Sequence, residues 1–224
     1  MAVDPAAVLR ITALSWAPPF ARGHVRDLRA RWACEELGLD YAERLIDPRA
    51  KPEPYFAEQP WGQVPVLHDG DLRLFESGAI LLHLSRKAPD LLPADRQGEA
   101  SAIGWLFAAL NSVEPWMFEL STVDVFARGE EWAKLRRPSL LASLGERLDR
   151  LADVLGDKDW LEGGFTVGDL AMASVLRIAE KSELLRERPT LDAYLERATA
   201  RPAFQRALSA QLAAFDKQEK TDVR

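Results

Sequence analysis

The stretch Gln63-Val-Pro-Val-Leu-His-Asp-Gly-Asp-Leu-Arg-Leu-Phe75 limits what this chain can fold into more than any other. Two short alternating runs, Val64–His68 and Leu72–Phe75, flank Asp69-Gly70. Alternation is the strand period, and Asp-Gly suits a type I′ turn, whose two central residues both take positive φ. The expectation is an antiparallel hairpin. Pro65 lies inside its first run, and proline donates nothing to a ladder. That position must therefore face a sheet edge or something other than a neighbouring strand. A helical pattern starts at Glu76-Ser77 with no spacer.

The residues upstream supply partners for the hairpin. Val8–Leu14 reads as a strand closed by Pro18-Pro19. Val25, Leu28 and Trp32 then recur at spacings of three and four, a helix period ending near Gly38. Asp40–Ile46 alternates as a second strand, and the Pro-rich, charged segment 47–62 reads as a loop with a helical turn. Strand, helix, strand, loop, strand, strand, helix is an α/β layer with a small mixed sheet.

Beyond Ala88–Gln97, which holds two prolines and no period, the pattern is helical. Helices are expected over Glu99–Leu120, Glu130–Leu155, Val167–Leu185, Thr190–Ala200 and Pro202–Phe215, with Pro115 kinking or splitting the first. Thr166-Val-Gly-Asp169 is a capping box, and the tail 216–224 reads as frayed. The expected organisation is a domain over 1–87, a linker over 88–97 and a helical domain over 98–224.

Composition narrows the function classes. Of 224 residues, 47% are hydrophobic and 29% charged, which is globular usage. The net charge is −6 with the basic residues dispersed, which argues against a nucleic-acid partner. No apolar run nears the ~20 residues of a membrane span, and the N-terminus lacks a basic region of signal-peptide type. The lone cysteine, Cys34, excludes an intrachain disulfide, so a cytoplasmic protein is the simplest reading. Cys34 sits well inside a helical pattern and reads as a small core residue rather than a nucleophile. His68 and His83 lack Cys or His partners at ligand spacing, so no metal is expected.

One constellation carries chemistry. With a cis peptide before Pro65, Val64 would present its backbone N–H and C=O to an extended peptide. The helix start offers unpaired N–H groups, a positive dipole end and the Ser77 hydroxyl to a carboxylate, with Glu76 placed for an ammonium group. Together they would hold an amino-acid head beside a peptide-like ligand.

These residues resemble a known family. Gly62-Gln-Val-Pro-Val-Leu67 followed by Phe75-Glu-Ser-Gly-Ala-Ile80 resembles the glutathione-binding core of the bacterial-type cytosolic glutathione S-transferases. Trp160–Ala173 resembles that family's capping-box motif, and Arg29–Ile46 its first helix and second strand. The resemblance implies an α/β thioredoxin-like N-terminal domain followed by an all-α C-terminal domain, and a homodimer. It implies glutathione as co-substrate, a small electrophile as second substrate and no metal. It implies that Pro65 is cis, that Val64 pairs with the cysteinyl part, that Glu76 and Ser77 hold the γ-glutamyl head, and that Gln63 meets the glycyl end.

The family activates the thiol with a Tyr, Ser or Cys near the end of the first strand or the start of the first helix. The turn here is atypical, with neither Tyr nor Cys. Alignment on the strand selects Ser15, and alignment on the helix selects His24; both stay open. Arg22, Arg26 and Arg29 read as a solvated helix face, and Glu114 as a solvent-facing carboxylate. Trp105, Phe107, Trp116 and Phe118 divide between core and an apolar pocket for the electrophile. The alternatives to conjugation are a non-catalytic glutathione- or partner-binding protein, and glutathione-dependent disulfide or peroxide reduction.

Overall fold

A computed structural model describes residues 2–180 and 182–222, with side chains through Asp216. The tail expected to fray from residue 216 instead continues the last helix to Asp222, and only residues 223 and 224 of it lie outside the described residues. The chain forms two compact units, one of residues 1–92 with 200–224 and the other of residues 93–199.

The first unit is built on a four-stranded sheet of order β2-β1-β3-β4, with β1 Leu9–Leu14, β2 Tyr41–Ile46, β3 Val66–Asp69 and β4 Leu72–Phe75. β1 and β2 run parallel, joined through α1 (Asp27–Leu37). β3 is antiparallel to both β1 and β4. α2 (Ser77–Ser85) follows β4 after one residue. This is the expected thioredoxin-like layer.

Three local expectations change. Val8 is exposed and lies outside β1. β3 begins at Val66 rather than Val64: this strand lies between two others, and a proline within it would break a ladder, so Pro65 sits just ahead of it. The hairpin register pairs Asp69 with Leu72, so its loop residues are Gly70 and Asp71. Gly70 has φ 59°, whereas Glu76 is the only non-glycine with positive φ among the described residues. Type I′ is therefore excluded, and positive φ at the first loop position alone is the type II′ pattern.

Packing in this unit joins elements distant in sequence. Ile11, Trp32, Val66, Leu67, Ile80, Leu81 and Leu84 are buried. α9 (Pro202–Asp222) lies on α1, where Phe204 meets Trp32 edge-on at 4.8 Å between ring centroids. Arg206 bonds Glu35 at 2.6 Å, and Gln211 donates to Asp27 at 2.8 Å.

The second unit is helical: α3 (Arg96–Phe107), α4 (Glu114–Ser121), α5 (Glu131–Leu155), α6 (Val167–Leu176), α7 (Glu183–Arg186) and α8 (Pro189–Thr199). The expected helix 99–120 is divided by a π segment, Ala108–Val113, that ends just before Pro115. Proline lacks an N–H and clashes with the preceding turn, and the wider π turn accommodates it. A second π segment, Thr122–Phe126, extends α4. The expected helix 167–185 stops at Leu176 and tightens into a 3-10 turn, Arg177–Ala179. The capping box is present: Asp169 accepts from the Thr166 N–H at 2.9 Å and the Leu161 N–H at 3.0 Å, and Thr166 Oγ1 accepts from Gly168 N–H at 3.2 Å. No described helix is long and apolar enough to cross a membrane.

Candidate active site

Sheet direction decides which residues meet. β1 and β2 end together at Leu14 and Ile46. Antiparallel pairing sets Thr12 opposite Val66 at the start of β3, and Val66 opposite Phe75 at the end of β4. One end of the sheet therefore carries Ser15, Val64-Pro65 and Glu76-Ser77, each on a connection rather than in a strand. Val25, from the turn before α1, packs with Leu14 against the buried cluster of Ile46, Tyr55, Val64 and Val66. His24 lies in that turn, its N–H donating to the Ala21 carbonyl at 3.0 Å, and its side chain is exposed.

Ser15 is only 6% exposed. Its N–H donates to the Ile46 carbonyl at 2.8 Å, while its hydroxyl makes no hydrogen bond within the described residues. The turn beyond it is braced by Arg22, whose Nε donates to the Ala17 carbonyl at 3.1 Å, and by Arg49, stacked 5.1 Å from the Trp16 ring.

The Val64-Pro65 peptide is cis. The Val64 N–H and C=O take part in no hydrogen bond within the described residues. Gln63 is exposed, and its carbonyl accepts from the Tyr55 hydroxyl at 2.5 Å. Burial raises the Tyr55 pKa to about 12, so it stays a donor at neutral pH. Gly62 has φ 62°, a left-handed conformation that glycine adopts without strain, and the Phe56 ring lies 2.7 Å from where a Cβ would stand. Tyr55 and Gly62 thus set the segment that carries Gln63 and Val64.

Glu76 has φ 69° and ψ 120°. A non-glycine residue held there stores strain of roughly 1–3 kcal/mol, which persists where surrounding structure over-determines it and is concentrated at functional sites. Its side chain is exposed. Ser77, the first residue of α2, is buried, and the first α2 hydrogen bond with Glu76 runs from Ile80 N–H to the Glu76 carbonyl. The N–H groups ahead of Ile80 form the open end of the helix.

The expectation for Arg29 is overturned. It is buried, not solvated, and its Nη1 donates to Ser77 Oγ at 3.1 Å. The helix period places residues on faces but does not say that α2 begins opposite this one. The expectation for Glu114 also changes: it is buried, at the junction of the π segment and α4, rather than facing solvent. Cys34 is buried as expected, its thiol pushed up to about 12 by burial, which makes it a poor nucleophile. His68 and His83 bond Glu58 and Asp69, at 3.2 and 2.8 Å. Among the described residues no group of His, Cys, Asp and Glu is placed to hold a metal ion.

The expected pocket aromatics separate within the second unit. Trp105 donates to Glu162 at 2.8 Å. Trp116 packs against the buried cluster of Val123, Ala133 and Leu140 and lies under the Arg147 guanidinium at 4.6 Å. Phe107 and Phe118 are exposed.

A family model for the glutathione S-transferase N-terminal domain matches residues 20–86. Glutathione S-transferase 4 of Zea mays is 32% identical over 191 residues, which are 78% of this chain and 83% of that protein. The chain belongs to the glutathione S-transferase family. Glutathione S-transferase GstA of Escherichia coli O157:H7 is also 32% identical, over 79% of this transferase and 89% of the relative. A glutathione transferase of Burkholderia graminis, solved with two glutathione molecules bound per subunit, superimposes with a TM-score of 0.78. It is 25% identical and covers 89% of this chain and 87% of its own. Glutathione transferase F7 of Populus trichocarpa, at 23% identity and a TM-score of 0.74, shares the fold over 91% of this chain and 99% of its own.

Proposed function

We propose that this transferase binds glutathione at the end of the sheet where Ser15, Val64-Pro65 and Glu76-Ser77 converge, and joins its sulfur to a small, apolar electrophile. The observation that carries this reading is that convergence, together with the unused N–H and C=O of Val64. An extended cysteinyl residue pairs with Val64 as a further strand would. The open end of α2 and the Ser77 hydroxyl take the γ-glutamyl carboxylate, Glu76 takes the ammonium, and Gln63 takes the glycyl end.

The chemistry asked of the protein is modest. A thiol attacks as its thiolate, and a donor beside the sulfur favours that form. Ser15 is the first candidate, since its hydroxyl has no hydrogen-bond partner among the described residues and lies at the Val64 end of the sheet. His24 is the second, from the same turn. The thiolate displaces a leaving group or adds to an activated double bond, and the proton passes to solvent.

The protein acts as a homodimer in this reading. Leu72 and Phe75 on the edge strand β4, and Trp132 and Leu135 on α5, are large apolar side chains left exposed on the chain and suit subunit contact.

Passage over immobilised glutathione, with a thermal-shift titration by free glutathione, tests the binding. Retention, a rise in Tm at millimolar glutathione and elution at twice the chain mass are expected; no retention and no shift would sink the reading. An aromatic-halide conjugation assay and a disulfide-reduction assay then separate conjugation from mere binding and from reduction.

A further inference from the structure

We infer that Arg29 is the positioning residue that makes the head-group site selective for a carboxylate. This rests on the glutathione reading above and concerns a side chain that reading does not use. Arg29 is 5% exposed and Ser77 7% exposed, and the guanidinium donates to the Ser77 oxygen at 3.1 Å. A guanidinium has donors and no acceptor. The bond therefore occupies a lone pair of Ser77 Oγ and leaves the hydroxyl proton to be given elsewhere. That proton has no acceptor within the described residues. The first N–H groups of α2, on the same turn, are donors as well, and Ile80 makes the first bond back to Glu76.

Every group at this point is then a donor, with a buried positive charge one atom behind. A hydroxyl without Arg29 can rotate and either donate or accept, so it would tolerate a neutral amide or an ammonium group. With one lone pair engaged by a cation, its proton is turned away from Arg29 towards the ligand, and the donation is polarised by the charge. The ligand group that suits it best is an acceptor, and an anion suits it better than a neutral group. The γ-glutamyl α-carboxylate fits; the ammonium is directed to Glu76, whose side chain is exposed beside it. Arg29 touches no ligand atom in this account and acts through Ser77.

The test compares three ligands by titration calorimetry. One is glutathione. Another is γ-aminobutyryl-cysteinylglycine, which keeps the thiol, both amide bonds and the ammonium and lacks only the α-carboxylate of the γ-glutamyl head. A third, with the α-carboxylate amidated, keeps the ammonium and isolates the carboxylate. For the wild type, amidation should weaken binding roughly tenfold to a hundredfold, the range of hydrogen bonds to a charged group. In Arg29→Met that ratio should collapse to within about threefold, and in Arg29→Lys it should be intermediate. Loss of structure alone would weaken both ligands equally and leave the ratio unchanged. If Arg29→Met does not fold by circular dichroism, Arg29→Lys carries the comparison. A ratio unchanged in the folded variants overturns the role of Arg29 while glutathione binding stands. A wild type that binds none of the three overturns the glutathione reading and this inference with it.

Discussion

At the residue scale, the open question is which donor faces the sulfur. Ser15 and His24 differ in ways that physical chemistry separates. Ser15 is nearly buried with a hydroxyl that has no partner among the described residues, and its backbone is pinned to Ile46 by a 2.8 Å bond. His24 is exposed, and an exposed side chain orders itself around a ligand only at a cost in rotamer entropy. A fixed donor stabilises the thiolate with little reorganisation, and losing one such donor costs roughly 2.7–4 kcal/mol of barrier, or about a hundredfold to a thousandfold in rate. We expect Ser15→Ala to lower conjugation kcat at least tenfold with little change in the glutathione KM, and His24→Ala to change kcat less than threefold. The measurement is steady-state kinetics on any electrophile the enzyme accepts. The reverse pattern would move the role to His24. Loss in neither would leave activation to backbone N–H groups.

At the element scale, α6 must lie very close to α3. A Cβ on Gly168 would stand 2.6 Å from Trp105 Cβ and 3.0 Å from the Ala102 carbonyl. Neither is the loose end of a side chain. Helix propensity alone favours alanine over glycine by about 1 kcal/mol. Overpacking costs about 1–3 kcal/mol and should win. Gly168→Ala is thus expected to lower the urea midpoint despite better propensity; an unchanged or raised midpoint would mean that α3 simply moves away. This closeness was not legible in the sequence, where Gly168 is one letter of a capping box. The box itself was legible, because its residues satisfy one another within four positions. The strands of the first unit were legible for the same reason, since period and turn residues are local. The π segments flanking α4 were not, because helical apolar spacing barely changes across one extra residue. In the candidate site, the grouping of Val64, Pro65, Glu76 and Ser77 was suggested by two short motifs, and the structure brings them to one end of the sheet. Arg29 was missed because its significance lies in meeting Ser77, a residue 48 positions away.

At the scale of the whole molecule, stability against acid follows from three sets of groups that act in different pH windows. Asp69 accepts from Lys87 at 2.6 Å and from His83 at 2.8 Å, and these bonds hold its carboxyl below the usual range. Arg44 does the same for Glu58, and Arg136 for Glu119. A carboxylate with a lowered folded pKa stabilises the fold above its unfolded value near 4, and that contribution is lost as pH falls further, through the folded value. Asp169 goes the other way: burial raises its pKa against the hydrogen bonds it accepts from Leu161, Thr166 and Tyr194. Its charge opposes folding at neutral pH, and that cost is relieved as pH falls from its folded value towards about 4. His68 has a lowered pKa, first through burial, so charging it opposes folding as pH falls below about 6.5. Asp169 and His68 therefore pull in opposite directions as pH falls, while the paired carboxylates begin to act only near about pH 4. Thermal unfolding should show a Tm that drops most steeply beneath about pH 4, where the paired carboxylates protonate. Asp69→Asn should lower Tm at neutral pH and make the acid limb shallower, because it removes one of the groups that must protonate. A wild-type Tm declining evenly from pH 7, or an acid limb as steep in Asp69→Asn as in the wild type, would mean that acid unfolds the protein through groups other than these pairs.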